Sequence, residues 1–152
     1  AVKESSGNLE QMSRILQLTN GRLALLSGDD ALTLPVLAIG GTGVISVAAN
    51  IVPRDVVAMI AAFQAGQHGE AVRWHERLLP LIKALFLETN PIPIKTAMGM
   101  LGMIQPDMRL PLCAMSEANQ ARLHQAIEAY GLFKSAAGTK ARGAKAKRKS
   151  DT

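Results

Sequence analysis

Two short runs, Leu23 to Leu26 and Val44 to Ala48, are apolar at nearly every position and carry no charge, the pattern of strands covered on both faces. Between them Asp29 or Asp30 can cap a helix running through Leu37 to Ile39, and Gly40-Gly41 can end it. A crossover of about a dozen residues is what a parallel pair of strands requires. An earlier unit has the same form. Ala1 to Lys3 reads as a strand, Glu4 to Gly7 as a polar turn, and Asn8 with Gln11 as a capping box. Leu9, Met12, Ile15, Leu16 and Thr19 then share one helical face, and Asn20-Gly21 stops the helix. Three strands therefore alternate with helices, and Lys3 occupies in its unit the position that Gly28 occupies in the next.

Beyond the third strand the pattern is helical. Pro53 suits a first turn, and Val56, Val57, Ile60 and Phe63 form a stripe that ends near Ala65-Gly66. A longer helix is expected from about Gly69 to Leu87, kinked at Pro80, with Val72, Leu78, Leu79, Ile82, Leu85 and Phe86 inward. Asn90-Pro91-Ile92-Pro93 breaks the period, and Ile94 to Leu101 resumes as a helix closed by Gly102. Gln105 to Leu112 is a connector. Ser116 caps a last helix through Leu123, Ile127 and Tyr130, with Gly131 as its stop.

This order places the chain in the α/β class, where chemistry gathers at the carboxyl ends of the strands, here at Ser27 to Asp30. Three strands followed by several apolar helices leave sheet edges without partners. A closed eight-stranded barrel needs about 250 residues. The chain is then either a small open α/β domain or the C-terminal part of something larger.

Charge changes this picture little. The 152 residues carry a net charge of +5, but Lys134 to Thr152 alone holds seven basic residues against Asp151. Residues 1–133 are left with ten basic and eleven acidic groups, so the basicity belongs to a tail whose Ala, Gly, Lys and Arg content predicts disorder. With aromatics at 3%, stacking platforms for single-stranded nucleic acid are missing, and nucleic acid is not an expected partner. One cysteine, Cys113, forms no internal disulfide and fits a reducing, cytoplasmic setting. The opening residues do not read as a signal peptide, so none is expected, and no apolar run reaches the roughly 18 residues of a membrane span.

Lys3 is the sharpest chemical candidate. An amine at the end of a buried strand can be desolvated enough to attack a carbonyl, although a lysine so placed can equally be a solvated side chain. Lys83 and Lys95 are rivals on helices, where snorkelling accounts for them. Gly40-Gly41-Thr42-Gly43 follows a helix and opens a strand, the reverse of a phosphate loop, and reads as a turn. Asp29-Asp30 reads as helix capping rather than as an acid-base pair. His68, His75 and His124 have no metal-ligand spacing. Met98, Met100 and Met103 read as fillers of a core or an interface.

Three segments together, AVKESSGN, LLSGDDALTLPVLAIGGTGVISVAANIVPRD and LFLETNPIPIKTAMGMLG, closely resemble the C-terminal half of the dihydrodipicolinate synthase family, among the pyruvate-dependent class I aldolases. The likeness runs from Ala1 to about Leu132. It implies that the chain is the C-terminal part of a (β/α)8 TIM barrel, its last three strands followed by the C-terminal helical region. On that basis residues 1–52 hold the last three strand-helix units, 53–133 the outer barrel helix and C-terminal helical region, and 134–152 the basic tail. The resemblance implies that Lys3 forms a Schiff base with pyruvate, that Gly28 lines the pyruvate pocket, and that the main chain of Ile45 contacts bound pyruvate. Aspartate semialdehyde is the implied second substrate, in the diaminopimelate route to lysine, with no metal or organic cofactor and with assembly as a homotetramer.

The family's tyrosine and threonine-tyrosine proton relay, its threonine loop for the pyruvate carboxylate and its arginine for the second substrate come from the half that precedes this segment. Tyr130 matches none of them. An isolated chain is therefore expected to be incomplete for catalysis. Two other readings stay open: a pyruvate aldolase acting on a sugar-acid aldehyde, and a noncatalytic barrel remnant with an assembly role, its basic tail touching an acidic partner.

Overall fold

The computed structural model describes residues 1–133, so the basic tail lies outside the described residues. Three parallel strands in the order β1-β2-β3 form the sheet: β1 (Val2–Glu4), β2 (Leu25–Ser27) and β3 (Gly43–Val44). The register places Lys3 opposite Leu26, and Leu26 opposite Gly43. Helix α1 (Leu9–Leu18) joins the first pair, and α2 (Thr33–Ala38), entered through a 3-10 turn at Asp30–Leu32, joins the second. Four helices follow: α3 (Pro53–Gln64), α4 (His68–Ala84), α5 (Ile92–Met100) and α6 (Glu117–Tyr130).

The alternation read from the sequence is present, with its boundaries moved for identifiable reasons. β1 ends at Glu4, not Lys3. The Glu4 carbonyl accepts the Gly28 N–H at 2.7 Å, and its carboxylate Oε1 is supplied with donors by the Ser6 N–H at 2.9 Å and Gln11 Nε2 at 3.1 Å. Oε1 is thereby paired within the strand, whereas Oε2 is buried without a partner among the described residues. The capping box is accordingly only half formed: Asn8 accepts the Gln11 N–H at 3.1 Å, while the Gln11 side chain turns to Glu4. β3 stops at Val44 instead of running to Ala48, because Ser46 and Val47 are drawn into a turn that leads to a 3-10 segment at Ala48–Asn50.

The strands are covered on one face rather than on both. Leu25 is buried with Met12 and Val36, and Val2, Leu9, Ile15 and Leu16 pack around them, so α1 and α2 cover one face. Lys3, Leu26 and Gly43 lie on the other, where Lys3 is exposed and Leu26 half-buried. At the end of α2 the glycines act as a turn: a Cβ at Gly41 would lie 2.4 Å from Val36 Cγ1 and 2.8 Å from the Val36 carbonyl oxygen.

The larger core lies among the helices. Val52, Val56 and Met59 meet Leu78, Leu81 and Leu85, and Leu123 and Ile127 of α6 close over them together with Ile92 and Ile94 of α5. Deleting any one of these side chains would typically cost about 2–5 kcal/mol. The stripe of α3 is Val56, Met59 and Ala62, with Val57 63% exposed, and α4 turns Ala71 inward rather than Val72. The inward phase is set where α3 and α4 pack on each other in the shared core, and it differs from the one that the apolar residues of each helix suggest alone. Phe86, past the end of α4, and Met103 are exposed. Helix α5 starts two residues earlier than expected, at Ile92, since Pro93 in a first turn gives up an N–H that has no partner there.

Two polar clusters fasten α6. Ser116 precedes the helix but makes no side-chain cap bond. Its hydroxyl and N–H instead donate to Glu88 Oε1, at 2.7 and 3.1 Å, joined by Asn119 Nδ2 at 2.9 Å. The Asn119 and Ser116 donors hold the Glu88 carboxyl below the usual glutamate range. At the other end the Tyr130 hydroxyl donates to Asp55 Oδ2 at 2.5 Å, and the Arg77 guanidinium lies 5.0 Å from the Tyr130 ring and 5.3 Å from that of Trp74. Burial, and then the Asp55 carboxylate, push the Tyr130 phenol above its ordinary value.

A lowered folded value means that ionised Glu88 stabilises the fold fully above the ordinary glutamate value of 4.5 and loses that effect as pH falls through the lowered one. Wild type should therefore melt above Glu88→Gln at neutral pH, with the gap closing in acid; a gap independent of pH would contradict this. Tyr130→Phe leaves the Asp55 carboxylate without its donor and should cost about 1–2 kcal/mol, read as a lower urea midpoint at unchanged slope.

Candidate active site

The carboxyl ends of the three strands bring the candidate residues to one side of the sheet. Lys3 stands on β1, on the face that α1 and α2 leave uncovered. Gly28 follows β2 directly, and its N–H reaches across to the Glu4 carbonyl at 2.7 Å. A Cβ at Gly28 would lie 1.7 Å from Ser5 Oγ and 2.9 Å from Lys3 Cε. The missing side chain is thus what lets the lysine stem and the Ser5 turn lie against β2. Ile45, just past β3, donates its N–H to the Ser27 carbonyl at 2.8 Å, and its side chain is 49% exposed. Lys3 and Gly28 are in direct proximity, whereas Ile45 is tied to this group through β2.

Around them is a set of polar groups that periodicity did not reveal. Ser27 is buried; its hydroxyl donates to the Asp29 carbonyl at 2.7 Å and accepts the Asp29 N–H at 3.2 Å, closing the loop after β2. Asp29 caps the following turn by accepting the Ala31 N–H at 2.8 Å. Asp30 does not cap: it is 2% exposed and reaches to Ser46 and Val47 beyond β3. One signal for this was available, because only one of two adjacent aspartates can occupy a single N-cap position.

The rival lysines stand apart. Lys95 donates to the Asp107 carbonyl, and Lys83 lies in the last turn of α4. His68 packs on Phe63 and His124 on Phe133, with ring centroids 5.0 and 4.6 Å apart. Among the described residues no group of three or more His, Cys, Asp or Glu is arranged to hold a metal ion, and no helix is long and apolar enough to cross a membrane. The desolvation expected for Lys3 is not supplied by residues 1–133, where its side chain is exposed.

A lysine at the carboxyl end of a parallel strand, against a glycine on the next, defines a strand-helix protein whose chemistry sits on strand-end loops. The profile of the Dihydrodipicolinate synthetase family matches residues 1–130, and the chain belongs to that family. The 4-hydroxy-tetrahydrodipicolinate synthase of Endomicrobium trichonymphae is 53% identical over 133 residues, which are 88% of this chain and 45% of the relative. The crystal structure of dihydrodipicolinate synthase from Aquifex aeolicus superposes with a TM-score of 0.83 at 46% identity, over 86% of this chain and 44% of that one. The chloride-inhibited dihydrodipicolinate synthase of Acinetobacter baumannii, complexed with pyruvate, superposes with a TM-score of 0.82 at 31% identity, over 86% and 45%. The chain thus spans less than half the length of the relatives it matches, and its structural neighbours are TIM barrels.

Because the Gly28 Cβ would collide first with Ser5, Gly28→Ala should destabilise the protein by about 1–3 kcal/mol, with Gly28→Ala/Ser5→Gly recovering part of that loss. Urea unfolding of the two single variants and the double variant measures this; strictly additive effects would contradict the contact.

Proposed function

We propose that this chain carries the Schiff-base half of a 4-hydroxy-tetrahydrodipicolinate synthase, which joins pyruvate to aspartate semialdehyde in the diaminopimelate route to lysine. In this reading β1, β2 and β3 are the sixth, seventh and eighth strands of a (β/α)8 barrel. Residues 53–133 are its outer helix and C-terminal helical region, and residues 134–152 a basic tail. The single observation that carries it is the packing of Lys3 against Gly28, on the sheet face that a closed barrel turns inward. Family membership and a structural neighbour complexed with pyruvate support the same assignment.

The chemistry follows from a strand-end amine. Neutral Lys3 Nζ adds to the ketone carbon of pyruvate, and the carbinolamine hydroxyl takes up a proton and leaves as water, so that the nitrogen keeps its own proton in a protonated imine. That cation takes up the electron pair released when a methyl proton departs, giving an enamine. The enamine carbon attacks the aldehyde carbon of aspartate semialdehyde, forming the new carbon–carbon bond and regenerating the imine. The substrate's own amine then adds to the imine carbon, and the ring closes as Lys3 leaves. Gly28 keeps the space beside the lysine stem open, and the main chain of Ile45 contacts pyruvate. Proton relay and recognition of the second substrate belong to the other half of the barrel, so activity requires that half. The whole enzyme would be cytoplasmic and a homotetramer.

Incubation with pyruvate followed by borohydride reduction and peptide mapping tests this. The expected result is one reduced adduct on Lys3, absent from Lys3→Ala. An adduct on Lys83 or Lys95, or none in folded protein, would contradict the assignment.

A further inference from the structure

Asp30 is a buried carboxylate that the lysine chemistry does not use. Its Oδ1 accepts the Ser46 hydroxyl and its Oδ2 accepts the Val47 N–H at 2.8 Å, while Ser46 Oγ accepts the Ala49 N–H at 2.8 Å. The residue is itself anchored, since its carbonyl accepts the hydroxyl of buried Thr33 at 2.9 Å. On the near side of the same turn the Ile45 N–H is held by the Ser27 carbonyl at 2.8 Å. Ile45 therefore lies between two fixed points, one on β2 and one on Asp30.

A buried charge is costly unless its acceptors are filled, so the turn cannot relax without leaving Asp30 unpaired. Both donors point at the carboxylate, and an amide in its place would offer an acceptor to only one of them. From this geometry we infer that Asp30 is a positioning residue. It sets the conformation of Ile45 to Ala49 and, through the Ile45 main chain, the affinity for pyruvate, without taking part in imine formation. The pyruvate half of this inference rests on the function proposed above; the conformational half does not.

The test uses the full chain in four forms: wild type, Asp30→Asn, Asp30→Ala and Ser46→Ala. Amide hydrogen exchange at Val47 and Ala49 reads the turn, and the pyruvate dependence of borohydride trapping reads the site. In Asp30→Ala the Val47 amide should exchange about tenfold faster or more, since its bond to a charged acceptor is lost, with α4 amides unchanged. Asp30→Asn should fall between Asp30→Ala and wild type. Half-saturating pyruvate should rise about tenfold in Asp30→Ala, while the trapping rate at saturation stays at the wild-type value. Unchanged exchange, or a loss confined to the saturated rate, would overturn the inference. If Asp30→Ala fails to fold, Ser46→Ala decides: wild-type Ala49 exchange and wild-type half-saturation in that variant would overturn it equally. Absence of any adduct in wild type would contradict the proposed function and the pyruvate half together, and the exchange data would still uphold or reject the conformational half.

Discussion

The parallel register of three very short strands is the constraint on which the site depends. β1 and β2 each contribute three residues and β3 two, so single bonds at the strand ends fix the loops above them. The Gly28 N–H to the Glu4 carbonyl, and the Ile45 N–H to the Ser27 carbonyl, continue the ladder one step past each strand. That step lines up the turns after all three strands. At Gly28 a Cβ would meet Ser5 first and then the Lys3 stem, so the bare glycine is what leaves room for that step.

The sheet is one-sided within this chain. Its helix-covered face buries Leu25 with Met12 and Val36, while the opposite face presents Lys3 and Leu26. A separate and larger apolar core, from Ala48 to Ile127, holds the four later helices together. The two parts therefore have different physical characters: a shallow strand-helix layer that positions polar groups, and a helical body that supplies most of the buried apolar surface. Polar contacts tie the ends of α6 into that body through Glu88 and Asp55.

Local signals were legible where local chemistry decides. Pro53 opens α3, Asn20 and Gly21 end α1 with positive φ, and Gly131 stops α6 at φ +86°, as each residue's own backbone preference dictates. Strand-helix alternation and the neighbourhood of Lys3 and Gly28 were legible too. What escaped depends on partners far along the chain. Asp30 meets residues 16 and 17 positions away, Ser116 meets Glu88 28 positions back, and Tyr130 meets Asp55 across 75. Helix phase in α3 and α4 failed for a related reason: it is decided by how the two helices pack on each other, and neither helix carries that information alone.

A crystal structure of the protein grown in pyruvate tests the role given to Lys3 most directly. Continuous density from Lys3 Nζ to the ketone carbon, with the ligand beside Gly28 and in contact with the Ile45 main chain, is the expected result. Pyruvate bound elsewhere, or an unmodified Lys3 at saturating pyruvate, would contradict it.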